Sequence, residues 1–292
     1  MYIYLRLMLA LITICGGCFF GCAYCGDDVW DAENYIENSA LQYQWGKKYL
    51  NVLKLKGDET VLDVGCGDGR ITCLMAAQLP RGSVTGVDVS DSMLKAAHDL
   101  QKKAKLNDLR FLSHDAMALP FVNEFDWVVS FSCLHWLPDH EAVIRGIANA
   151  LKPGGRTFLY FAPDHGRNRF DHSMDAVMAS PKWKKYFVAF ESGFHLITPR
   201  KLIDLMDDND LLLTRAEITR VDESFKTKDD FINWMMAWMT HLKRLPVETH
   251  RQFVGEILDH YLSFNPPDEE GNLHFYDYWI EVEALKPGTP NG

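Results

Sequence analysis

Asp63, Asp88, Asp115 and the pair His135-Trp136 are the side chains whose type and spacing could do chemistry in this 292-residue chain. Asp63 stands inside the apolar run Val61-Leu62-Asp63-Val64. That run ends in Gly65-Cys66-Gly67-Asp68-Gly69, and a helical pattern follows at once through Ile71, Leu74, Met75 and Leu79. A strand, a glycine turn and a helix form the nucleotide-cradling unit of open α/β sheets. Glycines let the backbone approach a ligand, and the helix N-terminus offers N–H groups. One strand later, Val84-Thr85-Gly86-Val87-Asp88 places a carboxylate at a strand end, where it can accept both hydroxyl protons of a ribose. Together these features indicate a bound adenosine-type cofactor.

The turn also restricts which cofactor. A dinucleotide fingerprint reads G-x-G-x-x-G, whereas the glycines here fall at 65, 67 and 69, with Arg70 where the third should be. A carboxylate at Asp63 would repel a diphosphate and suit an ammonium or sulfonium cation. S-adenosylmethionine carries both cations, and a carboxylate for the helix N-terminus. With these motifs the chain resembles the class I S-adenosylmethionine-dependent methyltransferases over about residues 40 to 162. The resemblance implies that Asp115-Ala116 hold the adenine. It extends the cofactor site to Gln42, Gly65, Cys66 (through its backbone N–H), Gly67, Val89, Met93 and Phe131.

The elements needed to position these groups are legible. Residues 31 to 55 read as a helix with Ile36, Leu41, Trp45, Tyr49, Leu50 and Leu53 on one side. Strands are expected at 60–64, 83–88, 109–113, 125–131 and 155–162, with helices at 69–79, 91–104 and 139–151; Ser90 is a candidate N-cap. The βα alternation then stops. Residues 165–208 look helical and aromatic-rich, 211–221 is a strand, 227–263 reads as two helices and 272–285 as a long strand. The expected fold is α/β: a Rossmann-like, seven-stranded, mostly parallel sheet with an antiparallel last hairpin and helical insertions forming a cap. Residues 30–287 form the methyltransferase domain, with the cap at about 163–210 and 226–264; 288–292 is a tail.

Composition excludes some partners. Formal charge is −10 and hydrophobic content 47%, which speaks against nucleic-acid binding without a local basic patch. The Lys47-Lys48 and Lys184-Lys185 pairs look like solvated helix faces. Cys66, Cys73 and Cys133 are isolated small residues in the α/β unit, with no disulfide framework and no metal site evident. Residues 7–25 carry no charge and follow Arg6. They read as a signal, a membrane anchor, or an unstructured or over-long start. Cys18, Cys22 and Cys25 have the spacing of the iron–sulfur motif of radical S-adenosylmethionine enzymes, whose barrels lack this glycine turn. The expectation is a cytoplasmic monomer, with membrane contact through residues 1–25 as the alternative.

The methyl acceptor must be read elsewhere. No Asn/Asp-Pro-Pro-aromatic signature of base methylation follows the fourth strand; Ser132-Cys133-Leu134-His135-Trp136 stands there, and Asn265-Pro266-Pro267-Asp268 reads as a turn. His135-Trp136, Ala40–Leu50, Ser180–Phe187 and His274–Pro287 together resemble trans-aconitate methyltransferase-like enzymes, relatives of malonyl-carrier-protein and juvenile-hormone-acid methyltransferases. That resemblance implies transfer to the carboxylate of a small organic acid. Such a carboxylate is ionised at neutral pH, so positioning replaces a general base. Trp136, Trp45 and Tyr35 would be walls, His135 and Gln42 hydrogen-bond donors, and Trp234 and Trp238 either core or an apolar substrate wall. Trp45 and Tyr49 could equally pack the first helix on the sheet. Met235-Met236 occupy the place where the trans-aconitate pattern has an arginine, which favours an apolar monocarboxylate over a polycarboxylate; Arg167, Arg169, Arg220, Lys243 and Arg244 remain candidate cations. The alternatives are a malonyl-acyl-carrier-protein O-methyltransferase of biotin synthesis and a non-catalytic S-adenosylmethionine-binding protein.

Overall fold

The computed structural model describes residue 30, residues 32–166 and residues 168–288. The proposed signal, anchor or cluster segment and the candidate cation Arg167 lie outside the described residues. Seven strands form one sheet in the order β3-β2-β1-β4-β5-β7-β6. They are β1 (Thr60–Val64), β2 (Ser83–Asp88), β3 (Leu109–Ser113), β4 (Phe125–Phe131), β5 (Leu151–Phe161), β6 (Leu212–Phe225) and β7 (Leu273–Leu285). Neighbours from β3 to β5 pair in parallel; β7 enters antiparallel between β5 and β6. This is the expected Rossmann-like sheet with an antiparallel last hairpin.

Because both faces of the parallel strands are covered, those strands are apolar nearly throughout. Their side chains alternate between two cores. Val61, Phe158 and Tyr160 face one, while Leu62, Leu159 and Phe161 face the other. The first core receives α2 (Ala40–Leu53), α3 (Arg70–Ala77) and α4 (Asp91–Ala104). The second receives α5 (His140–Ala150) and α7 (Pro199–Asp208). Residues from α6 (Arg169–Met178), α8 (Lys228–Trp238) and α9 (His250–Leu262) extend the first core as a cap.

Several boundaries differ from the sequence reading. The helix expected over 31–55 is two helices, α1 (Ala32–Asn38) and α2, broken at Ser39. Ser39 is fully buried and its hydroxyl accepts from Arg70 Nη2 at 2.5 Å. That bond holds the break and lets α1 leave the sheet. β5 starts four residues early because the Pro153-Gly154-Gly155 stretch is absorbed as an irregularity in its pairing with β4. The region 165–208 is helical only in α6 and α7. Between them lies a single 3-10 turn at Lys184–Tyr186 followed by irregular chain. There Trp183 is anchored from outside, its Nε1 donating to Glu256 Oε2 of α9 at 2.5 Å.

Candidate functional site

The glycine turn is built as φ and contact demand. Gly65, Gly67 and Gly69 all have left-handed φ (75°, 53° and 75°), a region costly for other residues. A Cβ on Gly65 would meet Cys133 Sγ at 2.3 Å, whereas one on Gly67 would meet nothing within 4 Å. Gly65 therefore permits close packing against the end of β4, and Gly67 presents bare backbone to an open cleft. The cleft lies at the carboxyl ends of the parallel strands and is open to solvent on one side. That is the place where open α/β sheets bind ligands.

Ten of the residues expected at the site line it together: Tyr35, Gly65, Gly67, Asp88, Val89, Met93, Asp115, Ala116, Phe131 and Trp136. Asp88 is held by the turn itself. Gly67 N–H donates to its Oδ2 at 2.9 Å and Ser90 N–H to its Oδ1 at 3.0 Å. Ser90 is also the N-cap of α4, so turn, carboxylate and helix start are one hydrogen-bonded unit. Asp115 caps a short 3-10 turn through Met117 N–H at 2.8 Å. Tyr35 approaches from α1; burial pushes its phenol pKa up, so its hydroxyl remains a protonated group.

Other expected residues lie elsewhere. Asp63 is buried behind the turn and accepts from Thr72 Oγ1 at 2.7 Å. Burial foremost, with Asp88 adding repulsion, pushes its pKa up to about 7. It is a strand-to-helix tie and is absent from the cleft lining, contrary to its expected role opposite a cation. Cys66 is also absent from the lining. Its N–H donates to Val87 O at 3.0 Å, and Gly65 N–H donates to the same carbonyl at 2.8 Å. These two turn amides serve the sheet, so the expected backbone contact from Cys66 is not available.

Gln42, Trp45, Trp234 and Trp238 do not line the cleft either. Gln42 Oε1 accepts from Trp234 Nε1 at 3.3 Å, joining α2 to the cap. Trp45 packs on Trp279 and Tyr160 and donates to Glu223 Oε1 at 2.5 Å, which fits the core alternative. His135 lies behind Trp136, 4% exposed. Its Nδ1 accepts from Ala162 N–H at 3.3 Å, which assigns the proton to Nε2. Burial, with His140 adding to it, lowers its pKa to about 3, so it is neutral.

Sequence reasoning missed Trp30, Val87, His114, Ser132, Cys133 and Leu137 in the lining. Val87 and His114 each adjoin an expected residue, and adjacency was the available signal. Trp30 carried none, because it reaches the cleft through an edge-on contact with Trp136 (5.1 Å) and with Tyr35 (5.7 Å). Trp136 in turn stacks on Phe194 at 4.5 Å. The lining thus combines the Asp88 and Asp115 carboxylates and glycine backbone with the aromatic rings of Trp30, Tyr35, Phe131 and Trp136.

A cleft of this shape fits an adenosine-bearing sulfonium donor: Asp88 and Asp115 mark two polar ends, Val89, Met93 and Phe131 an apolar bed, and Gly67 a place without a Cβ. Fold and site define the class as that of S-adenosylmethionine-dependent methyltransferases. Residues 61–155 match the family model described as a methyltransferase domain. A protein bearing the name methyltransferase 235L from Invertebrate iridescent virus 6 is 27% identical over 247 residues, 85% of this chain and 91% of that one. The demethylmenaquinone methyltransferase of Listeria welshimeri is 35% identical over 163 residues, 55% of this chain and 64% of that enzyme. The juvenile hormone acid O-methyltransferase of Drosophila melanogaster is 26% identical over 255 residues, 83% of this chain and 81% of that one. Among solved structures, the YcgJ protein of Bacillus subtilis superposes with a TM-score of 0.60 at 16% identity, covering 84% of this chain and 99% of that one. A Haemonchus contortus phosphoethanolamine N-methyltransferase bound to S-adenosylhomocysteine gives 0.56 at 20% identity, covering 92% and 61%.

Proposed function

We propose that this S-adenosylmethionine-dependent methyltransferase esterifies the carboxylate of an apolar monocarboxylic acid. The observation that carries the reading is the aromatic lining of Trp30, Tyr35, Phe131 and Trp136, with Phe194 stacked behind Trp136. Among the described residues no Lys or Arg lines the cleft. Arg169 is bonded to Phe264 O and Asn265, and Arg220 and Arg244 lie over Tyr276 and Phe190. A polycarboxylate would ask for such a cation, whereas a hydrocarbon chain asks for rings. The likeness to the juvenile hormone acid enzyme supports the same direction.

In this reading Asp88 accepts the ribose hydroxyls, Asp115-Ala116 hold the adenine, and Met93, Val89 and Phe131 enclose the rings. The donor supplies a methyl group on a positively charged sulfur. The remaining work belongs to the chain. An acid with a pKa near 4 is ionised at neutral pH, so proton removal is unnecessary. Trp30, Tyr35 and Trp136 exclude water from the carboxylate and fix its line of approach, an effect worth roughly 7–11 kcal/mol in favourable cases. His135 is a positioning residue here, setting Trp136 from behind. An assay with labelled donor and a panel of small acids tests the reading. Methanol released by alkali is the expected product; label held on carbon or nitrogen after alkali would remove the ester and leave a methyltransferase of another acceptor.

A further inference from the structure

The chain leaves β4 through a strained residue. Ser132 follows Phe131, the last residue of that strand, and has φ of 56°. Its N–H still donates to Tyr160 O of β5 at 2.8 Å, so the backbone leaves the sheet at Ser132 itself. Glycine meets such a φ without cost, whereas serine does not. Lys54 and Lys105 take the same conformation as helix C-caps, an ordinary way to end a helix. Of the non-glycine residues with left-handed φ among the described residues, Ser132 is the one that lines the cleft. Strain of this kind gathers at ligand sites.

The Ser132 hydroxyl is also uncommitted. It has no hydrogen-bond partner among the described residues, and it retains accessible surface in a half-buried residue. Its polar neighbours in the lining are engaged. Asp88 is held by Gly67 and Ser90, Asp115 by Met117, and the Tyr35 hydroxyl by Ser39. Cys133 Sγ is packed where a Cβ on Gly65 would lie. The order of the strands says what the hydroxyl meets. Along β3-β2-β1-β4 the carboxyl ends lead to Asp115, Asp88, the glycine turn and Ser132 in that order. With the adenine at Asp115 and the ribose at Asp88, the reacting end of the donor comes toward β1 and β4. The acceptor then enters beside Ser132, next to the Trp136 ring.

We infer that the Ser132 hydroxyl donates a hydrogen bond to one oxygen of the acceptor's carboxylate and so holds the other oxygen toward the methyl group. The inference rests on the carboxylate reading above. A carboxylate can only accept, so toward it Ser132 is the donor. The hydroxyl replaces water stripped from that oxygen, and the desolvated carboxylate keeps a partner. The second oxygen forms the bond to the methyl carbon as the methyl–sulfur bond breaks. The electron pair of the broken bond stays on sulfur, which becomes neutral, and no proton moves.

The test uses the full chain with Ser132→Ala, which removes the hydroxyl and keeps the strain, and Ser132→Gly, which removes both. Kinetic constants are measured for the best acid among straight-chain carboxylates from butanoate to dodecanoate, alongside thermal melting and S-adenosylhomocysteine affinity. Both variants should lose about tenfold or more in kcat/KM, because a hydrogen bond to a charged group is gone. The loss should be alike in the two, although Ser132→Gly melts higher than Ser132→Ala. A merely structural serine would instead let activity follow stability. Affinity for S-adenosylhomocysteine should stay within about twofold, which also certifies folding. If wild type forms an alkali-labile ester and Ser132→Gly keeps kcat/KM within about twofold of it, the inference is overturned and the proposed function stands. If wild type esterifies no acid of the series, the carboxylate reading fails and takes the inference with it.

Discussion

Asp88 and Asp63 sit one strand apart, look alike in sequence, and do different work. Asp88 faces the cleft with its carboxylate oriented by Gly67 and Ser90 N–H groups. Charge-assisted hydrogen bonds are worth roughly 1.5–3 kcal/mol, so Asp88→Ala should weaken S-adenosylhomocysteine at least about tenfold by calorimetry. An unchanged affinity would remove Asp88 from the site. Asp63 is buried against Thr72, and its pKa lies near 7 rather than at 3.8. The folded state then holds a proton that the unfolded chain releases. That contribution to stability is fully present below about pH 4 and is lost as pH rises through about 7. Asp63→Asn should flatten this part of the pH–stability profile in denaturant titrations while leaving the fold intact. A profile identical to wild type between pH 4 and 7 would show that Asp63 is ionised in the native state.

At the scale of elements, the glycine turn was readable because left-handed φ at alternate positions permits few residues. Gly65 combines φ of 75° with the packing of Cys133. Gly65→Ala should cost about 2 kcal/mol or more from strain and overpacking, measured by thermal melting with and without S-adenosylhomocysteine. The α1–α2 break was not readable: the periodicity runs on through Ser39, and the bond that Ser39 makes at the break comes from Arg70, 31 residues away. Gln42 illustrates the same limit. Its amide meets Trp234, 192 residues away. Gln42→Ala should lower stability by about 1 kcal/mol and leave S-adenosylhomocysteine affinity unchanged. A large loss of that affinity would restore Gln42 to the cofactor site.

For the whole molecule, the long β6–β7 hairpin is what brings the cap to the parallel sheet. Its seam is polar as well as apolar: Tyr49 of α2 donates to Glu281 Oε1 at 2.5 Å, and Arg215 pairs with the same carboxylate. Glu281 is 5% exposed, and a buried carboxylate missing a partner is costly. Tyr49→Phe should therefore destabilise the protein by about 1–2 kcal/mol in chemical denaturation without altering donor affinity. Failure to lose stability would mean the hairpin is held by its apolar contacts alone.

The sheet, the glycine turn, the Asp88 and Asp115 positions and the methyltransferase class were determined by local pattern. Strand periodicity, positive-φ turns and strand-end carboxylates act within a few residues, and their spacing survives in one dimension. Tertiary structure alone decided that Asp63 and Cys66 serve the sheet, that His135 stands behind Trp136, and that Trp30 reaches the cleft. It also brought Thr240 and Trp136 together beside Gly193. The physical reason is burial: whether a polar side chain meets a ligand or a neighbour depends on which distant element covers it. Sequence spacing carries no record of that beyond the element's own face.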